Sequence, residues 1–300
     1  MGRSDTMAET ADRLCASSRR AYQNPYEAID WPDVVERPAW FTSPELISLY
    51  ATPAWDALGD DERRELSFWE AVNFYSLNLH GEQALMEGLA RRLHQPGLED
   101  VTEYLHHFLD EENKHSIWFG TFCRRYAGRV YPDRTLSFAG EPAFARDHAP
   151  GEDDVLFFAR VAIFEELVDR YNSAMGRDER LVPVARQINA RHHAEETRHL
   201  VFGRHVVEHL WARHRPGWSD ETVEGVRMHL AGYLVSTWRT YYNPDAYRDA
   251  GLLEPHALAR QTWEHPATAE HRRNVSGKAL GWLADLGVFD VGAVELGARR

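Results

Sequence analysis

Two short motifs that each combine a glutamate with a histidine are the residues best suited to chemistry in this 300-residue chain. They are Glu112-x-x-His115 and Glu196-x-x-His199, and the second follows the first by 84 positions. Side chains three positions apart lie on one face of an α-helix, so each motif presents a carboxylate and an imidazole together. Both groups are metal ligands, and the repeat therefore predicts two ligand pairs that share one site.

A partner glutamate stands about 30 positions before each motif. Glu82 precedes Glu112 by 30 positions, and Glu165 precedes Glu196 by 31. One glutamate on each of two helices, with Glu-x-x-His on each of two others, is the di-metal carboxylate pattern of ferritin-like bundles. We prefer Glu165 to its neighbour Glu166 as the third-helix ligand, because Glu165 borders the apolar stripe of its helix.

The helices that carry these residues have inward faces that are otherwise apolar. An isolated carboxylate in a protein core costs several kcal/mol, so four of them in one bundle require cations. Carboxylate-rich ligation with few imidazoles favours iron or manganese over zinc. The four stripes are Leu79, Glu82, Met86, Leu89 and Leu93; Val101, Leu105, Phe108, Glu112, His115, Phe119 and Phe122; Phe157, Val161, Phe164, Val168 and Tyr171; and Ala185, Asn189, His192, Glu196, His199, Gly203 and Val206.

Proline and glycine set the predicted helix ends. Asp100 with Glu103 is a capping-box-like start for the second helix, and Pro183 suits the first turn of the fourth. The 129–150 segment contains three prolines and is too long for a hairpin, so we expect it to cross the bundle. The predicted helices are 61–94, 100–128, 153–175, 183–214 and 220–242, with further short helices between 255 and 296.

The resulting fold class is all-α, because no strand or hairpin pattern is found. We predict a ferritin-like four-helix bundle made of two helical hairpins joined by a long crossover, with additional N- and C-terminal helices. Residues 1–60 are rich in proline and are expected to form an irregular arm with one or two short helices, packed on the bundle. Residues 61–300 are expected to form the di-iron helical domain.

Satisfied polar groups in a protein core are the alternative explanation of these motifs. In a chain with 16 histidines, a single Glu-x-x-His match is expected by chance. Glu103-x-x-His106 is such a match, and we interpret it as solvated because its face also carries His107, Asp110 and Lys114. The other two motifs lie on the inward faces of their helices, recur at a regular spacing and each have a partner glutamate. Because these three features agree, they favour a di-metal site.

His192 breaks the symmetry between the two halves. It lies one turn before Glu196 on the same face, where the first half has Phe108. The residues alone favour equally a hydrogen bond to a metal ligand and direct coordination by this imidazole. The remaining histidines near the inward helix faces are interpreted as structural. They are His80, His193, His205 and His209.

Composition excludes several function classes. Forty-seven acidic and 34 basic side chains give a formal charge of -13, and no basic run is present, so nucleic acid is not an expected partner. No apolar run approaches the roughly 18 residues of a spanning helix, so no membrane partner is expected. Cys15 and Cys123 form neither a disulfide framework nor a thiolate cluster, which predicts a cytoplasmic location.

The motif set resembles the di-iron N-oxygenases related to p-aminobenzoate N-oxygenase. The likeness covers about residues 60–285, and the segment after the fifth predicted helix, Asn243-Pro244-Asp245-Ala246-Tyr247, also resembles the C-terminal region of that family. In the family the extra histidine is an iron ligand, so the resemblance implies coordination by His192. The residues that carry the resemblance are Glu82, Glu112, His115, Glu165, His192, Glu196 and His199.

The resemblance implies a function. Two iron ions would bind O2 between them, and an external reductase or ferredoxin would supply electrons. The substrate would be a small arylamine-like amine, oxidised to a hydroxylamine, nitroso or nitro compound in natural-product biosynthesis, and we expect a homodimer. The residues expected to be catalytic are Glu82, Glu112, Glu165, Glu196 and His192.

Two other functions use the same ligands. A di-iron C–H hydroxylase or desaturase, acting on a small-molecule or carrier-bound substrate, would need only a different pocket. An iron-binding or storage protein would need no turnover, but the N-terminal arm and the helices beyond the fourth argue against a minimal ferritin subunit.

Overall fold

The computed structural model describes residues 6–133, 149–289, 294 and 296. Within those ranges the chain is helical, and the isolated bridge between Trp40 and Leu181 is not part of a strand. The predicted all-α class is confirmed. The α-helices are α1 (Met7–Arg20), α2 (Pro53–Asp56), α3 (Asp60–Arg92), α4 (Thr102–Phe122), α5 (Glu152–Met175), α6 (Pro183–His214), α7 (Asp220–Tyr241), α8 (Pro244–Asp249), α9 (Pro255–Glu264) and α10 (Pro266–Asp285).

Two helical hairpins make the core of the bundle. Helix α3 packs along α4, and α5 packs along α6. Contacts of α4 with α6 and of α3 with α5 close the four-helix arrangement. Most of the predicted crossover, residues 134–148, lies outside the described residues.

Local capping chemistry explains most of the helix ends. Helix α6 begins at Pro183 and ends at His214, as its proline and glycine punctuation predicts. The Ser219 hydroxyl accepts a hydrogen bond from the Thr222 amide at the start of α7. The capping box predicted at Asp100 is wrong, because α4 begins after a 3₁₀ turn with Val101 at its N-cap. The Glu103 carboxylate pairs instead with Arg19 of α1.

The N-terminal region contains more regular structure than its prolines suggest. Helix α1 has 14 residues, starts with a capping box formed by Thr6 and Glu9, and packs on α4 and α6. Its buried face includes Leu14 and Cys15. At the other end of the chain, α10 spans 20 residues and is longer than the short helices expected there. The division of the chain at residue 60 stays a prediction.

Two glycines one heptad apart bring α3 close to α5. A Cβ atom on Gly81 would lie 2.5 Å from the Phe164 ring, and one on Gly88 would lie 1.9 Å from the Phe157 ring. Each phenylalanine therefore occupies the space that a side chain on α3 would need. Gly81 directly precedes Glu82 and Phe164 directly precedes Glu165, so this close contact lies next to both carboxylates.

None of the helices in the described ranges combines the length and the apolarity that crossing a bilayer requires.

Candidate metal centre

Seven side chains named from the sequence converge inside the four-helix bundle. Each of them is at most 2% exposed. Their donor atoms fall into two groups, within each of which all donor atoms lie within 4.8 Å of one another. The first group consists of Glu82, His115 and His192, and the second of Glu112, Glu165, Glu196 and His199.

Glu112 and Glu196 belong to the second group, and each of them also faces the first group. The His115 Nδ1 atom is 3.3 Å from Glu112 Oε2 and 3.4 Å from Glu196 Oε1. The His199 Nδ1 atom is 2.8 Å from Glu112 Oε1 and 3.3 Å from Glu196 Oε2. Each carboxylate thus turns one oxygen toward the imidazole of each half. This is the orientation that a carboxylate bridging two ions requires.

His192 points into the first group. Its Nε2 atom lies 2.8 Å from Glu196 Oε1 and 3.5 Å from Glu82 Oε1. Its Nδ1 atom faces the amide of Asn172, which fixes the ring from the opposite side. In the first half, the corresponding Phe108 stacks on the His199 ring with centroids 4.0 Å apart. The two halves therefore place an imidazole and a phenyl ring at equivalent positions.

The centre contains buried polar atoms that form no hydrogen bond of good geometry within the described part of the chain, although two of them, His192 Nε2 and Glu196 Oε1, lie 2.8 Å apart. They are Glu82 Oε2, Glu112 Oε1, Glu196 Oε1 and His192 Nε2. Buried polar atoms are otherwise almost always hydrogen-bonded, and leaving one unpaired costs about 1–3 kcal/mol. Several unpaired donor atoms that converge on one interior point fit a shared cation. The residues present thus fit a pair of metal ions.

The close carboxylates raise the pKa of the two motif imidazoles in the centre. Burial opposes charge on His115, but Glu112 and Glu195 outweigh it and raise its pKa to about 9. Burial likewise opposes charge on His199, and Glu196 and Glu112 raise its pKa well above the usual range. Burial and the adjacent Glu112 raise the pKa of Glu82 well above its ordinary value. Metal binding at such a site displaces protons from the ligands.

Two supporting carboxylates were not predicted from the sequence. The His115 Nε2 atom lies 3.0 Å from Glu195 Oε2. The His199 Nε2 atom lies 2.8 Å from Glu111 Oε2. Each motif therefore supplies the carboxylate that orients the other motif's imidazole, with Nδ1 directed at the centre. The signal in the sequence is the doubled glutamate, since the motifs read Glu-Glu-Asn-Lys-His and Glu-Glu-Thr-Arg-His.

A basic residue neutralises each supporting carboxylate. Arg198 lies 2.7 Å from Glu111, and Lys114 lies 4.0 Å from Glu195 and 2.8 Å from Asp110. The prediction that Lys114 is solvated is wrong, because its side chain is 2% exposed. Its ammonium group can be buried because carboxylates surround it.

Several other glutamates and histidines considered from the sequence lie outside the centre. Glu166 points away from the centre and forms ion pairs with Arg204 and Lys278. Glu103 and His106 are exposed, although Glu103 also lies near Cys15 and His107 at the α1–α4 contact. Two histidines interpreted as structural have partners outside the centre, since His80 contacts the Tyr131 carbonyl and His193 pairs with Asp169.

A helical bundle whose interior holds two groups of carboxylate and imidazole donors defines a di-metal carboxylate protein. The sequence model of the p-aminobenzoate N-oxygenase AurF family matches residues 4–287. The chain therefore belongs to this family and is an oxygenase-type enzyme with a di-metal centre. No curated protein sequence matches the chain.

Solved structures share the fold at low sequence identity. An R2-like ligand-binding oxidase from Sulfolobus acidocaldarius has a TM-score of 0.52 and 16% identity, covering 95% of this chain and 94% of its own. An R2-like ligand-binding oxidase without metal cofactor has a TM-score of 0.48 and 15% identity, with 93% and 98% coverage. Another, with an aerobically reconstituted Mn/Fe cofactor, has a TM-score of 0.46 and 15% identity, with 94% and 93% coverage. The first likeness supports the ferritin-like fold.

Proposed function

We propose that this enzyme is an O2-dependent di-iron N-oxygenase that acts on a small arylamine-like amine. The observation that carries the proposal is the position of His192, whose Nε2 atom joins Glu82 and His115 in the first donor group. Because of this third imidazole, the sequence resembles the N-oxygenase family more closely than it resembles other di-metal carboxylate proteins. The family match over residues 4–287 supports the same conclusion.

The proposed ligand set assigns a task to each side chain. Glu82, His115 and His192 would hold one metal ion, Glu165 and His199 would hold the other, and Glu112 and Glu196, which face both groups, would contribute to both. Two iron ions bound there would supply the redox chemistry that activates O2 for transfer of one oxygen atom to the substrate.

Residues around the ligands prepare the site for this chemistry. Glu195 and Glu111 hold the Nε2 protons of His115 and His199, so both Nδ1 atoms stay free to coordinate. The rings of Phe108 and Phe119 are fully buried beside the imidazoles and exclude water from them. A dry site of this kind strengthens the electrostatic contacts of the carboxylates with the ions.

The electrons and protons that the reaction consumes determine which partners the enzyme needs. Converting an amine to a hydroxylamine with O2 places one oxygen atom on nitrogen and releases the other as water, which consumes two electrons and two protons. We therefore propose an external reductase or ferredoxin as donor, with further rounds giving the nitroso or nitro level in natural-product biosynthesis. A homodimer and a cytoplasmic location are also proposed, the latter because Cys15 and Cys123 are both free.

Oxygen uptake by the reduced, iron-loaded protein tests this function. We expect candidate amines to accelerate O2 consumption, and ¹⁸O2 to label the nitrogen of the product. The Glu112→Ala variant is the matched control and should show no amine-dependent uptake. Label on carbon would instead identify a C–H hydroxylase. Uptake that no amine changes, with iron retained in the protein, would identify iron storage.

A further inference from the structure

A second group of potential metal ligands lies outside the bundle centre, where helix α1 packs against α4. It consists of Cys15, Glu103 and His107, and one donor atom of each lies within 4.8 Å of the other two. Donor atoms around a tetrahedral zinc ion are about 3.5 Å apart, so small side-chain movements bring these three to coordination distance. None of the three belongs to the ligand set of the di-metal centre.

The two helices present these residues where their faces meet. Glu103 and His107 are four positions apart on α4, so their side chains project from adjacent turns on one side of that helix. Cys15 belongs to the buried face of α1, whereas Glu103 is exposed and His107 is half-buried. Packing therefore fixes the sulfur atom, while the carboxylate and the imidazole at the rim are able to adjust to an ion.

Two carboxylates and one guanidinium act on the Cys15 thiol. Burial, with smaller contributions from Glu103 and Asp12, raises the pKa of this thiol to about 11, and Arg19 opposes the shift. The thiol therefore keeps its proton in the metal-free protein, and a bound metal ion displaces that proton. Because the carboxylates outnumber the guanidinium, the position attracts a divalent cation.

Arg19 is the cation that such an ion has to displace. Its guanidinium lies 2.5 Å from the Glu103 carboxylate, and the two side chains are 56% and 66% exposed. Exposed ion pairs contribute little to stability, because water screens them and both side chains lose conformational freedom. A divalent ion held by three donors can therefore replace Arg19 at Glu103, with the guanidinium turning to solvent.

We propose that Cys15, Glu103 and His107 bind a zinc ion that fastens α1 to α4, with water as the fourth ligand. A thiolate, an imidazole and a carboxylate in tetrahedral geometry suit zinc, whereas the carboxylate-rich centre of the bundle suits iron or manganese. The two sites therefore select different metals within one chain. This inference goes beyond the proposed N-oxygenase function and does not depend on it.

The position of α1 gives this ion a structural role. Helix α1 packs on both α4 and α6, the helices that carry the two Glu-x-x-His motifs. Just after α1, the centroid of the Tyr22 ring lies 4.5 Å from Lys114 Nζ, and this ammonium group neutralises the supporting carboxylate Glu195. A zinc ion that holds α1 in place therefore also secures the aromatic contact with Lys114.

Cobalt(II), added anaerobically to the iron-loaded protein, detects the proposed site. Cobalt takes the place of zinc and gives a strong sulfur-to-metal absorption in the near ultraviolet only when a thiolate coordinates it. The seven ligands of the di-metal centre include no sulfur, so cobalt bound there does not contribute. We expect one cobalt per chain to produce this absorption and zinc to abolish it. Cobalt titration without any thiolate absorption would overturn the proposal.

Three variants locate the bound ion. Cys15→Ser should abolish the thiolate absorption, and His107→Ala should weaken cobalt binding at least about tenfold, because one of three protein ligands is lost. His106→Ala is the matched control, since this exposed neighbour is not one of the three donors, and it should bind cobalt as the wild type does. Thiolate absorption in Cys15→Ser, or equal cobalt affinities in the two histidine variants, would contradict the assignment.

Hydrogen exchange tests whether the ion fastens α1. In the iron-loaded wild type, we expect zinc to slow amide exchange in α1 at least about tenfold, because bound zinc opposes local opening of this helix. Zinc should have no such effect in Cys15→Ser, and the amides of α10 should exchange equally with and without zinc in both proteins. Unchanged exchange of α1 in zinc-bound wild type would overturn the structural role.

Discussion

The carboxylates that support the motif imidazoles come from the opposite motif. Glu195 contacts His115 and Glu111 contacts His199, so α4 and α6 each complete the other's half of the centre. Heptad projection found the inward glutamates because burial imposes a helical period on them. It missed Glu111 and Glu195, because the first glutamate of each pair lies on the flank of its helix. Only the packing of α4 against α6 shows what that flank meets.

Replacing Glu195 with glutamine tests the supporting role. Glu195→Gln retains the shape of the side chain but removes the charge that orients His115 and raises its basicity. We expect metal affinity to fall about 10–100-fold, as is typical when such a partner is lost. A competition titration of the metal-free protein with ferrous iron measures this. Glu179→Gln, on the exposed surface, is the control, and equal affinities in the two variants would show that Glu195 has no such role.

His192 is the residue on which the distinction between di-metal classes depends. His192→Phe copies the equivalent Phe108 of the first half, so the packing volume is retained while one nitrogen donor is lost. If His192 is a ligand, we expect one of two ferrous ions to bind at least about tenfold more weakly. Stepwise anaerobic titration measures the two affinities separately.

The neighbouring histidine provides the control for that experiment. His193 pairs with Asp169 outside the centre, so His193→Phe should bind both ions as the wild type does. Two unchanged binding steps in His192→Phe would remove this residue from the ligand set and leave the chain with the general di-metal pattern.

Helix α3 is positioned by glycine as much as by its apolar stripe. The Phe157 ring fills the space beside Gly88, and the Arg92 guanidinium lies 4.0 Å from the centroid of the same ring. The ring is therefore held on two sides and cannot move away from a new side chain. Gly81 and Gly88 lie one heptad apart in the sequence, but only the packing of α5 shows which large residues face them.

Gly88→Ala tests this contact between α3 and α5. Although alanine favours helix formation, its methyl group would lie 1.9 Å from the Phe157 ring. We expect the free energy of unfolding to fall by about 1–3 kcal/mol, the usual cost of overpacking. Gly281→Ala on α10 is the control, since no heavy atom lies within 4 Å of its added Cβ, and it should stabilise by about 0.5–1 kcal/mol. Urea unfolding of both variants measures the difference, and an equal gain in both would contradict the close packing.

Helix boundaries followed from the sequence where a single residue determines them. Pro183 starts α6 and Ser219 caps α7, because a missing amide hydrogen and a side-chain oxygen act locally. The start of α4 was not predicted correctly from the sequence, because Glu103 pairs with Arg19, a residue 84 positions away. Local patterns predict local contacts, and Glu103 has a distant partner.

At the scale of the whole molecule, the N-terminal region belongs to the same core as the bundle. The Phe41 ring packs against Phe68 and Phe122, and the Trp118 indole donates a hydrogen bond to the Pro25 carbonyl. The periodic apolar pattern of the sequence predicted the bundle, because long helices repeat their buried positions at a regular spacing. It could not predict how residues 6–60 pack, because their contacts are made by single side chains between prolines.

The metal content per chain distinguishes a di-iron centre from a site that holds one ion. Seven buried donors in two groups require two ions, so anaerobic reconstitution with ferrous iron followed by elemental analysis should give two irons per chain. Glu112→Ala and Glu196→Ala should each lose this loading, since each carboxylate faces both groups. Glu103 and His106 lie on the exposed face of α4, so Glu103→Ala and His106→Ala should retain two irons per chain. At most one iron per chain in the wild type, or full loading of either bridging variant, would contradict the di-iron centre.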